Sequence, residues 1–141
     1  MSNNRARAED KNLILEAKKA IKSAYAPYSN FEVGAALLSR DGKVFTGANL
    51  ENSSFGITVC AERVALYKAL SSGEKDFIKI AIVASAEKPI TPCGLCRQAL
   101  FEFSPDLKVI CSNMKGKVRK YTLKQLLPHP FNYDKRKGKG K

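Results

Sequence analysis

The sequence lacks a long apolar run, and no stretch approaches the ~20 apolar residues that a helix needs to cross a bilayer. We also expect no secretory signal, because no apolar core follows the charged first ten residues. We therefore expect no membrane association and a cytoplasmic protein. The apolar share of 44% in 141 residues is ordinary for one globular domain.

Acidic residues are also few, since 13 Asp and Glu stand against 25 Lys and Arg, giving a formal charge of +12. Five of the basic residues lie in the last seven positions, and removing them takes the charge from +12 to +7. A basic surface can attract nucleic acid, but the Lys-Gly end of the chain offers no aromatic platform for bases. We do not expect nucleic acid as a partner. We predict one domain over residues 1–131 and a basic, mobile tail over residues 132–141.

Cysteine and histidine are scarce, with four Cys and one His. In a chain without a secretory signal, four cysteines favour metal binding or catalysis over disulfides. Cys60 stands alone, Cys93 and Cys96 form a C-x-x-C pair, and Cys111 follows in an apolar segment. We predict that Cys111 is a buried core residue. We also predict that the only histidine, His129, lies in a loop and binds no metal.

Apolar patterns predict alternating helices and strands. Helices have apolar residues at three- and four-residue spacing, which predicts them over residues 9–26, 60–72, 94–103 and 122–127. Strands have short apolar or β-branched runs, which predicts them over residues 33–38, 44–48, 78–84, 108–111 and 118–121. An Asp-Gly pair predicts a tight hairpin between the first two strands, and alternation from residue 60 onward predicts parallel pairing. The predicted fold is a three-layer α/β/α sandwich with a mixed central sheet of about five strands.

The cysteine pattern predicts a zinc site with one open position. Cys60 and the Cys93–Cys96 pair stand at predicted helix starts, where partial positive charge favours thiolates. Three thiolates suit Zn²⁺, whereas a closed structural site needs a fourth ligand. Water at the open position becomes a nucleophile near neutral pH. Glu62 is placed to take that water's proton, although a glutamate in a first helical turn can also simply stabilise the helix dipole.

Two segments make this interpretation specific. They are Cys60-Ala61-Glu62-Arg63 and Pro92-Cys93-Gly94-Leu95-Cys96-Arg97-Gln98, and together they resemble the signature of zinc-dependent nucleobase deaminases. The resemblance is closest to the small homotetrameric cytidine deaminases and extends from about residue 28 to residue 131, with close matches over 28–37 and 47–52. It implies hydrolysis of cytidine and 2′-deoxycytidine to uridine and 2′-deoxyuridine with release of ammonia. It also implies a homotetramer with composite active sites.

The resemblance implies roles around the metal. Cys60, Cys93 and Cys96 would bind one Zn²⁺ per chain, and Glu62 would carry protons between the attacking water, N3 of the base and the leaving ammonia. Three thiolates would make the metal a poor Lewis acid. Arg63 matches an arginine that hydrogen-bonds to the thiolates and so restores acidity to the bound water. Without the resemblance, Arg63 would be interpreted as an exposed helix cation.

The resemblance also implies contacts with the substrate. Phe31 would pack against the pyrimidine ring, with an ordinary core residue as the less favoured alternative. Asn49 and Glu51 would hold the ribose 3′-hydroxyl, since residues two apart on an extended segment point the same way. The backbone N–H of Ala61 would lie beside the base carbonyl or the zinc-bound oxygen. Phe131 resembles the aromatic residue that reaches a neighbouring subunit's pocket.

Three other functions compete with this interpretation. They are a deaminase of nucleic acids, a deaminase of a nucleoside-like antibiotic such as blasticidin S, and a non-catalytic zinc module that binds RNA. Asn49 and Glu51 count against the first, because a carboxylate suited to a free hydroxyl would repel a 3′-phosphate. The antibiotic-resistance enzymes lack this pair. Glu62 and the missing fourth ligand count against the third.

Overall fold

A computed structural model describes residues 2–133 as a mixed sheet with helices on both faces. The helices are α1 (Ser2–Ala20), α2 (Ala61–Ser71), α3 (Gly94–Phe103) and α4 (Leu123–Leu126), with short 3₁₀ turns at Ile21–Ser23 and Phe55–Ile57. The strands are β1 (Val33–Ser39), β2 (Val44–Ala48), β3 (Phe77–Ala84), β4 (Lys108–Asn113) and β5 (Val118–Thr122). Most of the predicted tail, residues 134–141, lies outside the described residues. Over residues 2–133, each helix is too short or too polar to cross a bilayer.

The five strands lie in the order β2-β1-β3-β4-β5. β1 is antiparallel to both β2 and β3, β3 and β4 are parallel, and β5 is antiparallel to β4. The predicted hairpin and mixed sheet are therefore confirmed. Parallel pairing is correct for β3 and β4 but wrong for β5. The reason is the link of four residues between β4 and β5, which is too short for the crossover that parallel strands need.

The sheet is buried on both faces, which confirms the three-layer sandwich. α1 covers one face, and its apolar residues pack with side chains of β1, β3 and β4: Leu13, Ala17, Ile21, Ala36, Leu38, Ala81, Val83 and Ile110. The opposite face packs against α2 and α3, chiefly through Ala61, Ala65, Leu66, Leu100, Leu37, Ile80, Ile82 and Val109. β3 contributes to both cores, as expected for a strand with an almost continuous apolar run.

The first helix differs most from its prediction of residues 9–26. It begins at Ser2, in a polar and largely exposed segment whose sequence has no apolar periodicity. It ends at Ala20, and after the 3₁₀ turn at Ile21–Ser23 the chain leaves helical geometry, because the backbone of Tyr25 is bonded elsewhere. The Tyr25 N–H donates to the carbonyl of Asn49 over 2.9 Å, and the Tyr25 carbonyl accepts from the N–H of Glu51 over 2.8 Å.

Gly34 allows α1 to lie directly on β1. A Cβ at this position would overlap the carbonyl oxygen of Ala17 and lie 2.9 Å from Cγ1 of Ile21. We therefore expect Gly34→Ala to lower the free energy of unfolding by about 3 kcal/mol, because the helix must shift or strain. Gly56→Ala is the matched control, since a Cβ there meets no atom within 4 Å. Equal denaturant midpoints for the two variants would contradict this packing.

A buried ion-pair cluster joins α1 to the sheet. Asp10 accepts from Nζ of Lys79 and from Nζ of Lys120, each over 2.8 Å, and Lys79 also pairs with Glu9 over 2.7 Å. Burial alone would raise the pKa of Asp10, but the hydrogen bonds from Lys120 and Lys79 outweigh burial, and the pKa falls below 3.8. The stabilisation from this group is therefore complete above the pKa of the unfolded carboxyl and is lost as pH falls through the lower folded pKa.

Asp10→Asn tests the cluster. At pH 7 we expect the free energy of unfolding to fall by about 2 kcal/mol, because Lys79 and Lys120 lose a shared partner. The difference from wild type should shrink as pH falls below about 4, where the carboxyl of the unfolded chain takes up a proton, and should vanish once pH has passed the lower pKa of the folded carboxyl. Urea titrations from pH 7 to pH 3 measure this, with Asp76→Asn, which breaks an exposed pair with Arg40, as the control. A difference that stays constant with pH would contradict the assignment.

Candidate metal and substrate site

Three cysteines meet where two helices begin. Cys60 is the residue immediately before α2, Cys93 is the residue immediately before α3, and Cys96 lies in the first turn of α3. The Sγ atoms of Cys60 and Cys93 are 3.7 Å apart, those of Cys93 and Cys96 are 3.5 Å apart, and all three lie within 4.8 Å of one another. Tetrahedral Zn²⁺ with bonds of about 2.3 Å to sulfur places its ligands about 3.8 Å apart. The three thiols therefore fit Zn²⁺.

The position of α2 depends on a glycine in β2. A Cβ on Gly47 would lie 2.6 Å from the carbonyl oxygen of Ala61 and 2.6 Å from the backbone nitrogen of Ala65. The start of α2 therefore approaches the sheet more closely than any side chain at position 47 would permit. Ala61 is fully buried there, and its N–H belongs to the first helical turn, where backbone donors have no intrahelical acceptor.

Arg63 lies against the thiols, as the resemblance implies. Its Nη2 donates to Sγ of Cys60 over 3.8 Å, while its buried Nε has no hydrogen-bond partner among the described residues. Hydrogen bonding with Cys96, together with Arg63, outweighs the effect of burial and lowers the pKa of Cys60 to about 5. The surroundings of Cys60 thus favour its thiolate, which is the form that binds a metal.

Glu62 is the one buried carboxyl beside the cysteines in the described part of the chain. The residue is 3% exposed, and its carboxylate interacts with the thiol of Cys96. Burial, with a smaller contribution from the negative charge of Cys60, raises the pKa of Glu62 to about 7. A carboxyl group in this range can both accept and release a proton near neutral pH.

The predicted ribose-binding residues lie in a segment that is hydrogen-bonded to the neighbour of Cys60. Leu50, which separates Asn49 from Glu51, exchanges two backbone hydrogen bonds with Val59 over 2.9 and 3.0 Å. The structure therefore brings Asn49 and Glu51 close to Cys60 and the start of α2.

Asn49 is buried and holds the loop before β1 in place. Its Nδ2 donates to the carbonyl of Phe31 over 2.7 Å, and its Oδ1 accepts from the N–H of Val33 over 2.9 Å. Since an amide nitrogen carries two N–H groups, a second donor is left. Phe31 is half-buried and packs against the core beneath α2. One part of its ring thus belongs to the core, and the other part is accessible to solvent.

Glu51 binds the same loop through its carboxylate. Oε1 accepts from the backbone N–H groups of Tyr28 and Ser29 over 3.0 and 3.1 Å, and Oε2 accepts from the hydroxyl of Ser29. The Ser29 hydroxyl, with these backbone donors, lowers the pKa of Glu51. The group is therefore a carboxylate at neutral pH, and of its roughly four acceptor positions three are used by the loop.

The structure gives roles to two residues that sequence reasoning quoted but did not interpret. Arg97 donates to the carbonyl of Pro92 over 2.7 Å, to the hydroxyl of Thr91 over 2.9 Å and to the carbonyl of Leu126 over 2.6 Å. It thus joins the loop before Cys93 to the end of α4. Gln98 binds the backbone of Phe131.

The remaining cysteine and the histidine lie apart from the metal ligands. Cys111 is 1% exposed within β4 and packs in the core, where burial raises the pKa of its thiol to about 12. His129 is exposed in the irregular segment after α4. Both placements agree with the predictions for these residues.

Zinc held by three side chains has room for a water molecule, and a proton-accepting carboxyl beside it makes this a hydrolytic metal centre. The sequence profile of the cytidine and deoxycytidylate deaminase zinc-binding region matches residues 7–112. The chain belongs to the cytidine and deoxycytidylate deaminase family, and it is a zinc-dependent hydrolase of that family.

Individual relatives agree with this assignment. Cytidine deaminase from Halalkalibacterium halodurans is 52% identical over 120 residues, which cover 84% of this chain and 91% of the relative. The crystal structure of cytidine deaminase from Burkholderia pseudomallei superposes with a TM-score of 0.83 at 51% identity, covering 86% of this chain and 98% of that one. Blasticidin-S deaminase from Bacillus cereus is 31% identical over 128 residues, covering 85% of this chain and 90% of the relative.

Proposed function

We propose that this chain hydrolyses cytidine and 2′-deoxycytidine to uridine and 2′-deoxyuridine with release of ammonia, as a step of pyrimidine salvage. The observation that carries the proposal is a buried glutamate, Glu62, in contact with a cluster of three cysteines that fits Zn²⁺. Relatives with 52% and 48% identity are named cytidine deaminases. We further propose that residues 1–131 form a single deaminase domain.

The chemistry divides between the metal and the chain. When bound by Cys60, Cys93 and Cys96, Zn²⁺ supplies positive charge that lowers the pKa of a water molecule. Glu62 takes a proton from the attacking water and delivers it to N3 of the pyrimidine as the C4–O bond forms. It then takes the proton of the new C4 hydroxyl group and delivers it to the amino group, so that ammonia leaves as the C4–N bond breaks and the C4 carbonyl of uridine forms. Its burial keeps bulk water from competing for these protons.

Arg63 and the start of α2 complete this reaction centre. Arg63 donates to the Cys60 thiolate, which withdraws negative charge from the ligand set and leaves the metal more electrophilic. The N–H of Ala61 is free of helical bonding and can donate to an oxygen of the substrate.

The polar pair before Cys60 supports a nucleoside substrate. Glu51 is a carboxylate with its pKa lowered, so it accepts a hydrogen bond from a 3′-hydroxyl and repels a 3′-phosphate. Asn49 would donate to the same hydroxyl through the second N–H of its side chain, since the first binds the carbonyl of Phe31. This favours cytidine and 2′-deoxycytidine over a base carried in a nucleic acid strand.

We propose a homotetramer in which neighbouring copies complete the site. Four large apolar side chains are exposed in a single chain: Phe55, Ile57 and Leu95, which lie within five residues of a cysteine of the cluster in sequence, and Phe131, which is bound to α3 through Gln98. Exposed apolar surface of this kind is typical of an interaction site. Light scattering should give a mass of four chains, and a fully active monomer would contradict the proposal.

Incubation of the purified protein with cytidine, with measurement of uridine, ammonia and bound zinc, tests the function. We expect stoichiometric release of uridine and ammonia by a protein that holds about one zinc per chain. Zinc binding without turnover of cytidine or deoxycytidine would contradict the substrate assignment. Turnover of blasticidin S alone would favour the antibiotic-resistance function.

Glu51→Gln tests the ribose contact. We expect KM for cytidine to rise by about 10- to 100-fold, because a neutral amide is a weaker acceptor for the 3′-hydroxyl. Zinc content should stay at the wild-type value. Glu32→Gln, an exposed glutamate just before β1, removes the same charge and should leave KM unchanged. Loss of zinc in Glu51→Gln would count against a role in ribose binding.

A further inference from the structure

The proline-containing segment after α4 is held at both ends by two adjacent residues of α3. At its start, Arg97 donates from Nη1 to the carbonyl of Leu126 over 2.6 Å. At its end, Gln98 pairs with the backbone of Phe131 in both directions. Nε2 of Gln98 donates to the carbonyl oxygen over 2.8 Å, and Oε1 accepts from the N–H over 3.0 Å.

The chain between these anchors has little conformational freedom. Of its four residues, Pro128 and Pro130 have φ fixed by their rings and offer no N–H for other bonds. Residues 127–133 belong to no helix or strand, so the backbone of Phe131 depends on Gln98 for its position. The Phe131 residue is 75% exposed, and its ring therefore projects away from its own chain.

We propose that Gln98 is a positioning residue for substrate binding, because it fixes the backbone of Phe131, whose exposed ring is presented to a neighbouring copy. Without Gln98, the segment has to be ordered when substrate binds, and that loss of entropy lowers affinity. The inference rests on the proposed function, since it takes Phe131 to contact substrate in a neighbouring copy.

Gln98→Met tests the inference, because methionine fills a similar volume and can make neither hydrogen bond. We expect KM for cytidine to rise about tenfold, with kcat within about twofold of wild type because the lost interaction concerns binding rather than chemistry. Zinc content should not change. Phe131→Ala should also raise KM, and the double variant should raise it no further, since Gln98 acts only through Phe131.

Gln125→Met is the matched control. Gln125 also uses its side chain to bind backbone, accepting from the N–H of Thr122 over 2.8 Å in the capping box of α4. Its replacement should lower the melting temperature and leave KM unchanged. A similar rise of KM in both glutamine variants would overturn the inference. Additive effects of Gln98→Met and Phe131→Ala would overturn it as well.

Hydrogen exchange at the Phe131 amide separates this inference from the proposed function. In Gln98→Met this amide should exchange faster, whichever substrate the enzyme uses. If the wild type turns over no cytidine but the variant loses protection, the proposed function is wrong and the positioning of Phe131 by Gln98 stands. Unchanged protection in the variant would overturn the role of Gln98.

Discussion

Glu62→Gln should lower kcat for cytidine by about 10³-fold while the protein keeps about one zinc per chain. Glutamine has the shape of the native side chain but cannot accept a proton from water and pass it to N3 or to the leaving amino group. The residue lies within the packed first turn of α2. A neutral amide can be buried there without the cost of burying a charge. The fold should therefore survive the change.

Three measurements make this prediction specific. Zinc content and the melting temperature should match the wild type within error, which excludes loss of the metal or of the fold. Substrate affinity should change little, because Glu62 transfers protons and does not hold the nucleoside. It is measured from the way the variant's single-turnover rate depends on cytidine concentration. If Glu62→Gln retains turnover within tenfold of wild type, another group carries the protons and the mechanism is wrong.

Cys96→Ala should abolish both zinc binding and turnover, whereas Cys111→Ala should abolish neither. The two cysteines are similarly buried, at 0% and 1% exposure, and each substitution removes one buried thiol group. Only Cys96 has its sulfur within reach of two other thiols. A site reduced to two thiolates falls short of the three protein ligands typical of catalytic zinc.

The comparison controls for the loss of packing. Cys111→Ala leaves a small cavity in the core and should cost about 1 kcal/mol of stability, with zinc and kcat near the wild-type values. Metal analysis, turnover and denaturant unfolding on the two variants give the three readouts. A Cys96→Ala protein with a full complement of zinc would contradict the ligand assignment, and zinc loss in Cys111→Ala would indicate a fourth ligand.

The elements with strong local patterns were predictable from the sequence. The helix over residues 94–103 and the strand over 44–48 have the bounds predicted from apolar spacing, and Thr122 caps α4 as expected. The cysteine signature located the metal cluster because each of its two segments combines a thiol with a predicted helix start. In these segments, local preference and the final packing agree.

What the sequence did not reveal depends on contacts between distant residues. The start of α1 at Ser2 lies in a polar segment with no apolar periodicity, and the helical geometry after α1 ends where Tyr25 bonds to Asn49 and Glu51. Gln98 and Phe131 are 33 positions apart, so no local pattern marks their pairing. Asn49 likewise has a structural role toward Phe31 that its place in a polar loop does not indicate.

The close approach at Gly47 has a consequence for redesign of this enzyme. Because β2 and α2 meet there without an intervening side chain, the depth of Cys60 and Glu62 relative to the sheet is fixed by a residue with no chemistry of its own. A library restricted to residues that touch metal or substrate would omit it. Yet any larger residue at position 47 would displace one ligand from the other two, and would reshape the catalytic geometry without replacing a single participant in the reaction.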